Sequence, residues 1–242
     1  YPEKCSSCPS CEWNEVCEYL VTDQCLMTYL RNALDDQCTA DCGKCSNCLG
    51  QPVVNVSPDE QSVKDAMLFL KRSEMPLELK KQAAPGAFVV YDIPYNIPKS
   101  LRANEGRILS RWADAAWGRK VKEGFVAGYY GDELVEAVAE MMEQRWDLSA
   151  TTPKWVTCIP SLRAPTLVPE FAKRLGDRLG LAFSPVIKKV ADNAPQREQI
   201  NRFHCCHNLD GVFAVDDNMP NGPVLLVDDT VNSAWTLTVA SY

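Results

Sequence analysis

The stretch that decides the fold runs Val224-Leu225-Leu226-Val227-Asp228-Asp229-Thr230-Val231-Asn232-Ser233-Ala234-Trp235-Thr236. Its first four residues are apolar without alternation. That predicts a strand buried on both faces, as the central strands of parallel sheets are. Asp228 and Asp229 follow at once, and a short polar loop then leads into a helix. The carboxyl end of such a strand is where open α/β sheets bind ligands. Loop amides and a helix N-terminus aimed outward there favour phosphate. The hydroxyls of Ser233 and Thr236 add hydrogen bonds. Two adjacent acids suit the paired hydroxyls of a ribose, or Mg²⁺ through water.

Upstream, residues 155–159 predict another strand and 160–165 a turn. Val168, Phe171, Ala172, Leu175 and Leu179 then mark one face of a helix. Residues 184–190, 211–215 and 223–227 are further β-type runs, with a polar stretch over 191–208. Strand, helix, strand order predicts an α/β fold around a parallel sheet with flanking helices. Residues 51–150 hold no cysteine and read as mainly helical. Ser57 with Glu60 is a capping-box pattern ahead of a helix to Arg72. Helical periodicity recurs over 105–118 and 132–146. Residues 88–91, set among Pro85, Gly86, Pro94 and Pro98, predict one short strand. The chain thus divides into a Cys-rich module over 1–50, a helical linking region over 51–150 and an α/β domain over 151–242.

Composition sets the outer bounds. The chain has 242 residues, 46% hydrophobic and 24% charged, which is ordinary for a folded globular protein. No apolar run approaches the ~18 residues of a membrane span. No basic segment followed by an apolar run opens the chain, so a secretory leader is not expected. A cytoplasmic location and no membrane partner follow as expectations. Residues 1–50 carry three basic and eight acidic side chains, and no third of the chain is basic as a whole. That argues against a strong, self-sufficient nucleic-acid footprint and leaves room only for local basic patches.

Cysteine is the outlier: nine of the twelve lie in the first 48 residues. Without a secretory context this spacing reads as metal binding rather than as a disulfide scaffold. Cys25, Cys42, Cys45 and Cys48 can share one tetrahedral Zn²⁺. Such an ion staples a segment too small for its own core. Cys5, Cys8, Cys11 and Cys17 can hold a second zinc or a [4Fe–4S] cluster, two alternatives that the spacing leaves open. Cys38 is a spare. His204-Cys205-Cys206-His207 is read as structural, because adjacent residues cannot easily all face one ion.

The run Cys25-Leu-Met-Thr-Tyr-Leu-Arg, then Ala33-Leu-Asp-Asp, then Cys42-Gly-Lys-Cys-Ser-Asn-Cys-Leu-Gly resembles the zinc-binding module of RecQ-family DNA helicases, over residues 19–50. In that family the module follows the helicase core and supports stability and DNA binding. The chain has no Gly-x-x-x-x-Gly-Lys-Ser/Thr loop and no Asp-Glu-x-His box, so ATP belongs to a core outside it.

Residues 224–236 resemble the phosphoribosyl pyrophosphate (PRPP) motif of type I phosphoribosyltransferases. That likeness implies that Asp228 and Asp229 contact the ribose hydroxyls as catalytic acids, with Mg²⁺ bound alongside PRPP. Thr230, Val231, Asn232, Ser233, Ala234, Trp235 and Thr236 would cradle the 5′-phosphate. Ser161, Leu162 and Arg163 match the family's pyrophosphate loop. Lys188 and Lys189 are further cations for the pyrophosphate, or else ordinary strand-edge lysines. The loop departs from the family where Ala234 replaces the usual Gly and Asn232 replaces Thr or Asp. A β-carbon at a position that prefers φ > 0 costs energy. Trp235 is expected to pack as core, with stacking on a base as the alternative.

The order of these parts looks most like ComF-type phosphoribosyltransferases and the transferase-like tail of long bacterial RecQ-type helicases. The likeness reaches from about residue 19 to 242, where family members usually continue for another helix and strand. It implies a zinc-stabilised accessory region of a nucleoid-associated, ATP-dependent DNA helicase of repair or recombination. The transferase-fold domain would serve nucleotide, DNA or partner binding. An active Mg²⁺-dependent phosphoribosyltransferase and a non-catalytic protein-interaction module are the alternatives.

Overall fold

The computed structural model describes residues 9–37, 39–54, 56–162 and 164–242, with side chains from residue 12. The chain separates into two compact units, Tyr1–Val63 and Lys64–Tyr242. The net charge of −7 resides entirely in the first, and charges balance in the second.

The first unit holds helices α1 (Pro9–Val21), α2 (Leu26–Ala33) and α3 (Ser46–Leu49). Helix α4 (Glu60–Lys71) runs across the division. Among the side chains described up to Val63, only that of Cys25 is buried. Helices this short are marginal in water on propensity alone. Among the described residues no apolar core stands behind them, and the feature that draws the segment together is the cysteine cluster.

The second unit is mixed α/β. Strand β1 (Met75–Leu77) pairs antiparallel with β2 (Gly106–Ile108). Helices α5 (Gly118–Ala127) and α6 (Asp132–Gln144) follow. Strand β3 (Trp155–Cys158), helix α7 (Leu167–Leu179) and strand β4 (Ala182–Phe183) then form a βαβ turn of the chain. Strand β5 (Ile187–Lys189) leads through α8 (Arg202–His207) to its antiparallel partner β6 (Phe213–Val215). Strand β7 (Val224–Val227) and helix α9 (Trp235–Ala240) close the chain. The parallel sheet has three strands in the order β4-β3-β7, with Val156 opposite Leu225 and Cys158 opposite Val227.

One face of β3 and β7 packs on α6 and α7. There Val156, Ala172 and Leu175 are fully buried beside Val135, Ala139 and Met142. Burying Val156 or Leu175 contributes roughly 1.5–3 kcal/mol each. A second cluster joins Ala83, Phe88, Ile93 and Ile97 to Cys205, Cys206, Leu209 and Trp235.

Several expectations are corrected. The helix after Ser57 starts at Glu60, and its cap is Asp59, whose carboxylate takes the Ser62 amide at 2.8 Å. Residues 88–91 are no strand: the amides of Val89, Val90 and Tyr91 all donate to the Asp210 carboxylate at 2.7–3.0 Å. A distant acid outcompetes a ladder there. The periodic stretch 105–118 gives β2 and a turn instead of a helix. Asp114 accepts the amides of Arg111, Ala116 and Gly118 at 2.8–3.0 Å. The chain folds so tightly at Gly118 that a β-carbon would lie 1.9 Å from the Arg111 carbonyl oxygen. The run 184–190 splits, because the chain leaves the parallel sheet after Phe183 and re-pairs antiparallel at Ile187. The polar stretch 191–208 contains α8, with Cys205 and Cys206 buried. Strand β7, expected at the centre, sits at an edge of its sheet, with Val224 41% exposed.

Candidate functional site

Two constellations carry chemistry, one in each unit. In the first, Cys25 precedes α2, whereas Cys42, Cys45 and Cys48 lie on a tight turn that ends in α3. Gly43 takes φ +67°, which lets the turn between Cys42 and Cys45 close. Asn47 ties this turn to the segment before α2, donating from Nδ2 to the Thr22 and Gln24 carbonyls, both at 2.7 Å. The four Sγ atoms all lie within 4.8 Å of one another. Cys45 and Cys48 are 3.4 Å apart, and Cys25 and Cys45 are 4.0 Å apart. The edge of a tetrahedral zinc–thiolate site, with its Zn–S bonds of ~2.3 Å, is ~3.8 Å.

Backbone amides already point at the sulfurs. Cys42 N–H donates to Cys25 Sγ at 3.2 Å, and Cys45 N–H to Cys42 Sγ at 3.3 Å. The Thr28 side chain and then the Cys42 amide lower the Cys25 thiol to about 5. The Cys45 thiol beside it pushes the Cys48 thiol up to about 12. Four thiolates cannot coexist unassisted, but a divalent cation at their centre removes the conflict. The tetrad can therefore hold a metal ion. Among the described residues no other His, Cys, Asp and Glu cluster is so placed. Cys5, Cys8, Cys38 and Arg163 lie outside the described residues, as does the side chain of Cys11. Cys17 is exposed on α1.

The second constellation sits at the carboxyl end of β7. The Asp229 amide donates to Asp228 Oδ1 at 2.9 Å, and Thr230 Oγ1 donates to Asp229 Oδ1 at 3.1 Å. Tyr130, from the loop before α6, donates to Asp229 Oδ2 at 3.3 Å. Burial, and then the Asp229 charge, pushes the Asp228 carboxyl up to about 8. Burial and the Asp229 charge also hold the Tyr130 hydroxyl well above its usual range. At the end of β3, burial and then the Asp228 charge raise the Cys158 thiol to about 11. These shifts describe a crowded, anion-rich end of a sheet.

Ala234 adopts φ +61°, the left-handed region where glycine is at ease. Ser233 Oγ is buried without a hydrogen-bond partner, and so is Thr157 Oγ1 on the neighbouring strand. Buried orphan hydroxyls are uncommon, and a ligand oxygen is one thing that satisfies them. Val231 and Thr236 are half-buried, Asn232 exposed. Trp235 is core, 4% exposed and tilted against Phe88 at 6.5 Å.

Ser161 turns its hydroxyl to the Ala164 amide at 3.3 Å, and Leu162 is 55% exposed. Lys188 pairs with Asp216 at 2.8 Å beside the β5–β6 pair, the behaviour of a strand-edge lysine. Tyr130 is the site residue that sequence reasoning missed. It lies 99 positions from Asp229, and no local signal marks it.

Comparison of the chain with protein-family models, with curated proteins and with solved structures finds no match. The two sites therefore rest on their own geometry. No helix among the described residues is long and apolar enough to cross a membrane.

Proposed function

We propose that this chain is the zinc-stabilised carboxyl-terminal accessory region of a RecQ-type, ATP-dependent DNA helicase, cytoplasmic and nucleoid-associated, acting in repair or recombination. In this reading its phosphoribosyltransferase-like domain binds a phosphorylated ligand or partner. The observation that carries the reading is the Cys25–Cys42–Cys45–Cys48 tetrad, its four sulfurs within 4.8 Å of one another in a unit whose described residues form no apolar core. Zinc suits four thiolates, and closed four-sulfur sites are structural. The ion would supply cross-linking energy and no reactivity.

The domain assignment draws support from the acid pair at the carboxyl end of a parallel strand, followed by a left-handed loop residue. Asp228 and Asp229 would face ribose hydroxyls. The orphaned Ser233 hydroxyl and the loop amides would face a 5′-phosphate. A Mg²⁺ brought by PRPP would ionise Asp228 and relieve the crowding of charge there. A working phosphoribosyltransferase is the second reading, favoured by that buried hydroxyl. The Ala234 β-carbon, standing where phosphate needs close approach, weighs against it.

Two measurements test the proposal. Metal analysis of purified protein should give zinc at about one per chain, falling to background in Cys42→Ser. Calorimetric titration of Mg²⁺–PRPP should show binding that the Asp228→Asn, Asp229→Asn double variant loses. Metal-free protein with an ordered tetrad removes the zinc reading. Equal binding by wild type and double variant removes the ligand site.

A further inference from the structure

The second unit has a cleft that the carboxylate site does not use. Lys80, Lys81, Arg102 and Arg202 line an open groove of about 830 Å³, with the buried Trp235 indole in its wall. Its one lining carboxylate, Glu78, is held by Lys81 at 2.8 Å. Lys80, Arg102 and Arg202 have no carboxylate partner within 4.0 Å among the described residues. The unit as a whole carries no net charge, so this surplus of cations is local to the groove.

The groove is also built to keep its shape. The Lys80 amide donates to Thr238 Oγ1 on α9 at 3.0 Å, and Arg102 Nε donates to the Ile97 carbonyl at 2.8 Å. Beside the lining Gln82 is Tyr95, 45% exposed, whose hydroxyl donates to Gln82 Oε1 at 3.3 Å. Gln82 in turn donates to Asn96 at 3.1 Å, and both line the groove.

We propose that this groove tracks the phosphate backbone of single-stranded nucleic acid, with Tyr95 as a stacking surface for a base. Cations drawn from three separate segments suit a run of phosphates better than one small anion. A positively charged groove with an aromatic at its edge is how single strands are held without sequence reading. Binding to a duplex major groove needs a projecting helix or ribbon, and the groove is concave. The inference shares only its partner class with the reading above and stands on different residues.

The test uses the whole chain and a fluorescein-labelled oligothymidylate, followed by anisotropy across a salt series. Wild type should bind, weakening as salt rises. Lys80→Glu with Arg202→Glu should weaken binding at least tenfold and make the salt dependence shallower, by about 1.4 in log–log slope for two lost contacts. Tyr95→Ala should weaken binding about fivefold or more with the slope unchanged. Lys122→Glu with Lys173→Glu makes the same charge change at exposed positions of α5 and α7 and should cost no more than about twofold.

Asp228→Asn, Asp229→Asn should not weaken oligonucleotide binding, and the Lys80/Arg202 variant should keep its Mg²⁺–PRPP response. Failure of the groove and failure of the carboxylate site are thereby separable. No binding at low salt overturns the proposal, and so does equal weakening by the two charge-reversal pairs. Polyglutamate competing as well as the oligonucleotide would assign the groove to an acidic protein segment and overturn it too.

Discussion

Up to Val63, Cys25 is the one buried side chain among those described, whereas residues 64–242 bury four apolar clusters around Val156, Ile97, Leu134 and Trp155. The first unit also carries the whole net charge of −7, and the second is balanced. A short acidic segment gains little from the hydrophobic effect and repels itself. Its four cysteine sulfurs converge where they can hold one metal ion. The longer unit is ordered by surface removed from water. The two therefore respond to different insults.

The largest effect should come from the metal. Structural zinc in small modules contributes roughly 10–16 kcal/mol of apparent binding free energy, which becomes folding free energy. Stripping the ion with a chelator, or Cys42→Ser, should expose residues 22–50 to limited proteolysis while 64–242 stays resistant. Protection that survives metal removal would break the comparison.

The converse change is Leu175→Ala, which empties a fully buried position between α7 and β3. It should cost about 2–5 kcal/mol in the cooperative denaturant transition of the second unit. Zinc content should not change.

A third prediction concerns pH. The Asp228 carboxyl titrates near 3.8 when unfolded and is pushed up to about 8 in the fold. Between those values the native protein holds a proton that the unfolded chain has lost. Stability from this group therefore falls as pH rises through that window. Asp228→Asn removes the dependence. The variant should gain on the order of 1–3 kcal/mol over wild type by neutral pH, the difference levelling off above about 8. A difference that stays flat across the range would show that Asp228 is not in an anion-crowded site.

The smallest effect sharpens the reading of the loop. Ala234 holds φ +61° at the start of α9. Ala234→Gly should relieve strain and stabilise the second unit by about 0.5–1 kcal/mol. It should also tighten any Mg²⁺–PRPP binding, because the β-carbon no longer stands in the loop. Destabilisation by the glycine would mean that the left-handed conformation costs nothing there.

Much of this was legible along the chain. The Cys25–Cys48 spacing announced one metal site, and the four sulfurs do converge. The apolar periodicity of α6 and α7 and the run at β3 found their elements, because strong local patterns and tertiary burial agree there. The failures have a common cause. Residues 88–91 look like a strand, yet their amides serve Asp210, about 120 positions away. The apolar run of β7 reports burial but not how many neighbours provide it, so its edge position stayed hidden. Residues 105–118 have helical spacing, but Asp114 gathers their amides into a turn. The lysines and arginines of the groove are scattered over more than 120 positions, and no window of sequence shows them together.

The sequence by itself determined which residues could bear chemistry: four thiols at metal spacing, two adjacent acids after an apolar strand, and an alanine where a loop turns left. Those signals are local, set by spacing and by the conformational freedom of single residues. Only the tertiary structure decided what surrounds them. It brought Tyr130 onto Asp229, set Cys158 beside the charge of Asp228, left Ser233 Oγ buried and unpaired, and gathered Lys80, Arg102 and Arg202 on one groove. Burial, charge crowding and unsatisfied polar atoms depend on distances between chain-remote groups. Such distances exist only once the chain has folded.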